Sequence, residues 1–395
     1  LPLKLKKRLK KGFKAFSGAK VLKVLIITGE ISGDLYGALL VRRIREINPS
    51  FHFIGIGGPR LRGSEVEVLF SAEALSLVGI PKPAELKKYL FIYRKIEEFL
   101  RKKKVDLVLL VDFPGFNLRI AKLAKNLGYP VIYYVAPQVW AWHKHRINHL
   151  KRYVDQLFVI LPFEEEFFKN HGIPTRYFGH PLLDVVRVNL PRELFYEIYN
   201  LNPETPVVGF FPGSREIEIQ RHLPLFIKVY KELKKRNSKI RGILCRAPGL
   251  KDSPFWEKAK EEFLVLENMQ YEVLKYSQAS LLASGTITLE AALLQNPAVV
   301  TYYLPPWMYF LAKRLVKVPY ISLPNLILNR EIYPEILQDR SSPSELALAL
   351  EKVMSEGENI KKSLLELRKA LGAPGVTWKI AEEIVKFSQS LKNKP

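Results

Sequence analysis

From Lys23 onward the chain alternates short apolar runs with longer stretches whose apolar residues recur at helical spacing. The runs KVLIIT, FHFIGIGG, VDLVLLV, PVIYYVA, QLFVILP and TRYFGHP come first. Apolar runs of that length, separated by helical segments, predict parallel strands joined by βαβ crossovers. A second series, PVVGFFP, GILCRA, SLLAS and AVVTYY, repeats the pattern. Between the two lies VVRVNLPRELFYEIYNLNPETP, whose Pro and Asn content marks the boundary. The final stretch reads as helices, with SSPSELALALEKVM opening on a Ser/Thr-type cap. The expected organisation is therefore a basic segment over 1–20, an α/β Rossmann-like domain over 21–185, a second over 186–340, and terminal helices over 341–395. Two such sheets facing one another place a crevice at the carboxyl ends of both.

A length of 395 residues suits two domains. Hydrophobic residues make up 48% of the chain, yet no stretch of about 18 runs without a charge, so a membrane-spanning helix is not expected. Cys245 is the single cysteine, which excludes an intrachain disulfide and a thiolate metal cage and fits a reducing cytoplasm. Charge changes the picture more. Against 39 acidic residues stand 62 basic ones, a net charge of +23 that calls for a polyanionic partner: nucleic acid, an acidic membrane surface or a phosphorylated substrate. Eight basic residues and no acid lie in Leu1–Lys20, but the rest of the chain is strongly basic too. The opening LPLKLKKRLKKGFKAF reads either as a processed or appended end or as a basic amphipathic membrane segment. It is no signal peptide, because no uncharged apolar region follows its basic residues.

Four segments at strand ends can carry chemistry. GEISGD, with Glu30 and Ser32, follows the first strand; it lacks the G-x-G-x-x-G fingerprint, and Glu30 would repel a pyrophosphate, so a dinucleotide cofactor is disfavoured. A plain strand-to-helix turn capped by Ser32 is the alternative. VDFPGFN puts Asp112 at the end of a wholly apolar strand, where an unpaired buried carboxylate is costly and where burial can raise its pKa toward general-base work. A helix-capping role is the competing account. FPGSRE offers Gly213 for close backbone approach, Ser214 as a donor and the Arg215 fork for a diphosphate, without P-loop spacing. ASGTITLEAALLQNP sets Ser284, Gly285 and Thr286 where a strand hands over to a helix whose N-terminus favours an anion. Glu290, further along, can accept from ribose hydroxyls.

Two further stretches mix aromatic and basic residues. LVGIPKPAELKKYLFIYRKI, with Leu77, Val78, Ile80, Leu86, Leu90 and Phe91, reads as a surface for acyl chains and headgroups, or else as a helix packed on the first sheet. VWAWHKHRINH has His143, His145 and His149 at mixed spacing among Lys and Arg, which argues for aromatic core beside a basic rim rather than a zinc site.

In order and spacing, GEISGD, GIGGPR, VDFPGFN, VAPQVWAW, LPFEEEFF, GHPLLD, PGSRE, LLASGTITLEA and LAKRLVKVPYISLPNL together resemble the lipid-A-disaccharide synthases. The resemblance runs from about Val24 into the C-terminal helices. SGTxxxE alone is shared by many GT-B transferases and epimerases; VxPxVWAW and the LAKRL to LPNL stretch are more particular. The resemblance implies a GT-B fold with two Rossmann-like domains facing a central cleft, no cofactor and no metal, in keeping with the lack of a D-x-D motif. It implies inverting transfer of a diacylglucosamine unit from UDP-2,3-diacylglucosamine to 2,3-diacylglucosamine 1-phosphate, giving the β-1,6-linked disaccharide 1-phosphate and UDP. The family's functional positions fall on Glu30, Ser32, Asp112, Arg215, Glu290 and Asn325. Asp112 is then the general base, Arg215 and the SGT turn hold the diphosphate, Glu290 holds the ribose, and Asn325 positions UDP or the acceptor. The resemblance also implies work at the cytoplasmic face of the bacterial inner membrane, on an anionic surface, and admits a homodimer with exchanged C-terminal parts.

The rival enzyme is a UDP-N-acetylglucosamine 2-epimerase or another GT-B UDP-sugar transferase, whose nucleotide half would look alike. A nucleic-acid-binding protein, suggested by charge, finds no RRM, KH or zinc-finger motif in support.

Overall fold

The computed structural model describes residues 21–75, 83–102, 104–140, 146–315 and 318–392. They form two α/β units, one made of the chain up to Asp184 together with the segment from Ala373 onward, the other of Val185–Gly372.

The first unit holds a seven-stranded sheet: β1 (Leu22–Thr28), β2 (Phe51–Gly57), β3 (Glu67–Ser71), β4 (Leu107–Val111), β5 (Val131–Tyr134), β6 (Gln156–Val159) and β7 (Thr175–Tyr177). The spatial order is β3-β2-β1-β4-β5-β6-β7, and every pair is parallel, with Ile27 opposite Ile56 and Thr28 opposite Val111. Sheet order reverses at β1, so β1 and β4 diverge in their connections, which is where open α/β sheets bind ligands beyond the strand ends. β4 is buried at every position because helices cover both faces. Leu25, Ile27, Val108, Leu110 and Tyr133 pack with Ile92, Ile96 and Phe116 from the flanking helices. Full burial of each aliphatic side chain stabilises by about 1.5–3 kcal/mol.

The second unit repeats the plan with β8 (Val207–Phe211), β9 (Arg241–Arg246), β10 (Leu264–Glu267), β11 (Ala279–Ala283), β12 (Ala298–Tyr302) and β13 (Glu335–Leu337) in the parallel order β10-β9-β8-β11-β12-β13. Phe210 sits at its centre, edge-on to Phe263 with centroids 4.9 Å apart. Helices Pro343–Ser355 and Gly357–Leu371 stay with this unit, whereas Val376–Lys392 packs on helix Ile31–Ile47 of the first. Asp184 marks the crossing point. Its carboxylate accepts from the N–H groups of Gly375 (2.5 Å) and Thr377 (2.7 Å), so the residue at which the chain leaves the first unit caps the helix with which it returns. The boundary-region Pro and Asn belong to the second unit. Ser342 caps Pro343–Ser355 as expected, accepting from Glu345 N at 3.2 Å.

Candidate functional site

Chemistry-bearing residues collect at the carboxyl ends of the central strands, in two clusters, one in each unit.

In the first unit, β4 ends at Val111, and Asp112 and Phe113 both take the left-handed conformation, with φ of 53° and 51°. That conformation costs a non-glycine residue of order 1 kcal/mol or more and persists only when neighbours enforce it. The neighbours here are specific. Asp112 N–H donates to Tyr134 O (2.9 Å), while its carbonyl accepts from Asn117 Nδ2 and from the Tyr133 hydroxyl, each at 2.7 Å. Burial pushes the Tyr133 phenol far up, with the Asp112 charge adding to it, so the hydroxyl remains a donor. Phe113 lies over Gly29, where an added Cβ would come within 2.1 Å of the ring. A Cβ on Gly33 would stand 3.3 Å from that of Asp112. GEISGD and VDFPGFN are thus one packed pair of turns, and the glycines of the first make room for the second.

Glu30, partly buried, is the N-cap position of helix Ile31–Ile47, and no side-chain cap bond is made there. Ser32 lies inside the first turn of that helix, so the sequence expectation of a Ser32 cap is corrected: the chain turns helical one residue after Glu30. Asp34, in contrast, is buried and accepts from Gly58, Arg60 and Leu61 N–H groups at 2.7, 2.9 and 3.3 Å. It ties GEISGD to GIGGPR.

A third linkage joins VAPQVWAW to LPFEEEFF. Trp140 Nε1 donates to Glu164 at 3.0 Å, and the other carboxylate oxygen accepts from Ile160 and Leu161 N–H. Burial wins over these three bonds and pushes the Glu164 carboxyl up to about 7. Trp142, His143 and His145 lie outside the described residues; His149 Nε2 contacts Leu118 O at 2.7 Å.

In the second unit the neighbouring strands β8, β11 and β12 end side by side. After β8, Gly213 adopts φ +127°, and a Cβ there would meet Glu218 at 2.5 Å. The Glu218 carboxylate accepts from Ser214 N–H (2.9 Å) and Arg215 N–H (3.3 Å) and stands 3.7 Å from the Arg215 guanidinium, which is half exposed. His222, fully buried, braces the turn from beneath. Its Nε2 accepts from Tyr303 N–H at 3.0 Å, which fixes Nδ1 as the protonated nitrogen donating to Pro212 O at 2.8 Å. Burial lowers its pKa and keeps it neutral.

After β11, Ser284 donates to Ile321 O (3.0 Å), Gly285 is the N-cap position of helix Thr286–Leu293, and Thr288 Oγ1 bonds Gly285 O at 2.8 Å. Glu290 stands one turn beyond Thr286 and is partly buried. Asn325 is fully buried, and its amide is committed within the unit: Nδ2 to Tyr333 O (2.7 Å) and Glu335 (2.9 Å), Oδ1 from Ile332 N (2.8 Å) and Tyr333 N (2.9 Å). Those four bonds are all that an amide side chain ordinarily makes. Glu335 also accepts from the N–H groups of Ile321 and Ser322 and from the Ser322 hydroxyl, which holds the loop before helix Leu323–Leu328 against the Ser284 turn.

Asn117, Tyr133, Glu164, Glu218, His222 and Glu335 were not singled out in the sequence. A polar residue inside an apolar helical stretch, as Asn117 is in GFNLRIA, was the only signal for any of them.

Of the expected lipid-facing residues, Leu86, Leu90 and Phe91 are 46%, 42% and 54% exposed on helix Pro83–Arg101, while Tyr89, Ile92, Ile96 and Leu100 on its other face are buried. That helix both packs on the sheet and presents an apolar face. Leu77, Val78 and Ile80 lie outside the described residues, as do Leu1–Lys20. Among the described residues no helix is long and apolar enough to cross a membrane.

Comparison with known proteins adds the following. A family model described as lipid-A-disaccharide synthetase matches residues 24–379. The lipid-A-disaccharide synthase of Trichlorobacter lovleyi is 36% identical over 91% of this chain and 96% of its own length. That of Nitrosococcus oceani is 36% identical over 91% and 94%. In fold the chain is similar to UDP-GlcNAc 2-epimerase from Neisseria meningitidis bound to UDP-GlcNAc, with TM-score 0.65 and 12% identity over 92% of this chain and all of that one. It is also similar to UGT71G1 of Medicago truncatula complexed with UDP-glucose, with TM-score 0.61 and 12% identity over 94% and 98%. At such identities the likeness concerns the two-domain α/β GT-B architecture alone.

Proposed function

The chain belongs to the lipid-A-disaccharide synthase family and is a glycosyltransferase; on that premise we propose that it transfers the diacylglucosamine unit of UDP-2,3-diacylglucosamine to the 6-hydroxyl of 2,3-diacylglucosamine 1-phosphate. The products are the β-1,6-linked disaccharide 1-phosphate and UDP. One observation carries the assignment of the donor side: β8 and β11, neighbours in the second sheet, end in the Arg215 turn and in the Ser284-Gly285-Thr286 turn that opens a helix. A guanidinium and a helix N-terminus at adjacent strand ends suit a diphosphate.

Asp112 takes the proton from the acceptor 6-hydroxyl, whose oxygen attacks the anomeric carbon from the face opposite the phosphate. The bond to the UDP oxygen breaks, and configuration inverts. The negative charge gathering on UDP is met by the Arg215 guanidinium and by the N–H groups of Gly285 and Thr286 at the helix N-terminus, which makes a metal ion unnecessary. Glu290 accepts from the ribose hydroxyls. Glu30 and Ser32, beside the Asp112 turn, face the acceptor, and Asn325 acts by holding the loop that abuts Ser284. Acylated substrates are delivered from the cytoplasmic face of the inner membrane, on which the basic protein docks through the Leu86, Leu90 and Phe91 face.

The test incubates the protein with UDP-2,3-diacylglucosamine, with and without the acceptor phosphate, in the presence of a metal chelator. Disaccharide and UDP formed only when acceptor is present is the expected result. Epimerised or hydrolysed sugar appearing without acceptor, and no disaccharide with it, would overturn the reading in favour of an epimerase.

A further inference from the structure

Large apolar side chains exposed to solvent are scattered over most of the second unit but are concentrated along one stretch of the chain. Tyr303 (38% exposed), Trp307 (57%), Phe310 (56%) and Ile321 (37%) fall on helix Pro306–Leu315 and its two flanks. The Arg314 guanidinium lies over the Phe310 ring, 4.4 Å from its centroid, and adds a cation to the same surface.

The backbone on either side of this helix is tied to both turns assigned to the donor's phosphates. Its upstream flank, Tyr303, donates its N–H to His222, and the same imidazole donates to Pro212 O beneath the Gly213-Ser214-Arg215 turn. Its downstream flank, Ile321, accepts from the Ser284 hydroxyl of the other turn. The strand that leads into it, β12, adjoins β11, so the surface leaves the sheet at the edge where the donor's phosphates are assigned. Trp and Phe left in water beside a ligand site are an unspent source of binding, since each ring offers roughly 150–250 Å² of contact area. A UDP-sugar without lipid has nothing to set against them.

We propose that this surface, Tyr303, Trp307, Phe310 and Ile321, receives the acyl chains of the nucleotide-linked donor and selects an acylated UDP-sugar over a bare one. The inference rests on the reading of the second unit as the donor side. Arg314, over Phe310, keeps a positive charge at the rim of the apolar surface, where the polar linkages of an acylated sugar meet water. The occupant is the donor itself rather than the bilayer, because one flank is hydrogen-bonded to Ser284 and the other, through His222, to Pro212 at the start of the Arg215 turn, the two turns assigned to the donor's phosphates.

The experiment compares transfer from UDP-2,3-diacylglucosamine bearing long acyl chains with transfer from its dibutanoyl analogue, both in detergent micelles, for the unaltered protein and for Trp307→Ser/Phe310→Ser. The long-chain to dibutanoyl ratio of kcat/KM should fall by about tenfold or more in the double variant, since even one methylene in an apolar site is worth about 10- to 200-fold. Leu348→Ser, exposed on helix Pro343–Ser355 of the same unit, is the control and should leave the ratio alone. An unchanged ratio in the double variant overturns the inference, as does an equal loss with both donors. So does a loss seen only when substrates are presented in vesicles, which would make the surface a bilayer contact, or a change in oligomeric state that accounts for the loss. If the unaltered protein transfers from neither donor, it is the proposed function that fails instead.

Discussion

Asn117 donates its side-chain amide to the carbonyl of Asp112 at 2.7 Å, and the same nitrogen lies 3.3 Å from the carbonyls of Ile27 and Val111. One buried amide therefore joins the ends of β1 and β4 and pins the left-handed turn on which the proposed base sits. Asp112→Asn keeps the size of the side chain but removes its basicity, so turnover should fall by about 10²–10⁴ with UDP affinity nearly intact. Asn117→Ala leaves Asp112 in place but loosens its main chain. It should lower kcat by about 10- to 100-fold with a smaller change in KM, and cost about 1–3 kcal/mol of stability. Steady-state kinetics and a denaturation curve on each variant check both; a destabilised Asn117→Ala with normal kcat would confine Asn117 to the fold.

The Arg215 guanidinium is only half exposed and has a carboxylate 3.7 Å away, so it is oriented before any ligand arrives. Arg215→Ala should weaken UDP binding by about 1.5–3 kcal/mol for each charged hydrogen bond lost. Glu290→Gln, which keeps one carbonyl acceptor, should weaken it less. Calorimetric titration with UDP measures both, and equal affinities for Arg215→Ala and the unaltered protein would remove Arg215 from the diphosphate.

Two buried groups in the first unit make its stability depend on pH with opposite sign. Burial pushes Glu164 from 4.5 up to about 7, so the folded state holds a proton that the unfolded state releases, and stability falls as pH rises from about 4.5 to about 7. Burial pushes His180 from 6.5 down to about 3, so the unfolded state takes up a proton that the folded state refuses, and stability falls as pH drops below about 6.5. Each slope approaches about 1.4 kcal/mol per pH unit, and between about 4.5 and 6.5 the two oppose each other. Relative to the unaltered protein, His180→Asn should gain stability as pH falls from 6.5 to 5, and Glu164→Gln should lose it. Urea midpoints followed by tryptophan fluorescence over that range provide the check; parallel curves for all three proteins would contradict it.

Gly29 carries Phe113 against its Cα, leaving no space for a side chain. Gly29→Ala should displace Phe113 and with it the Asp112 turn, reducing turnover by about 10²-fold or more, and Gly29→Ala/Phe113→Leu, with a smaller side chain at 113, should recover part of the loss. No recovery in a folded double variant would show that Gly29 is needed for something other than this contact.

For the membrane, co-sedimentation with anionic liposomes should separate two anchors. Exposed Leu90 and Phe91 share their helix with Lys87, Lys88, Arg94 and Lys95, each basic residue near the surface contributing about 1 kcal/mol. Leu90→Glu/Phe91→Glu should reduce binding, and salt should weaken binding without abolishing it, because the apolar part is unscreened. If a chain starting near Lys20 fails to bind while the double variant binds normally, the anchor is the terminal basic segment.

The alternation of apolar runs was enough to read the central strands of both sheets, because a strand covered on both faces must be apolar along its length, as LVLLV is. The edge strands EVLFS, LVLE and EIL were not legible: they are short, half-exposed and need no such run. The motifs at the strand ends were legible for the same local reason, since Gly, Asp, Ser and Arg concentrate where a strand turns. Their partnerships were decided only in three dimensions. Asn117 reaches Ile27 across 90 positions and Trp140 meets Glu164 across 24, pairings that depend on which strands lie side by side. Asn325 shows the limit most clearly. Its chemistry, two donors and two acceptors, was present in the sequence, but burial beside Tyr333 and Glu335 determined that all four would be used within the protein, because an unpaired polar group there would cost more than the bonds it makes.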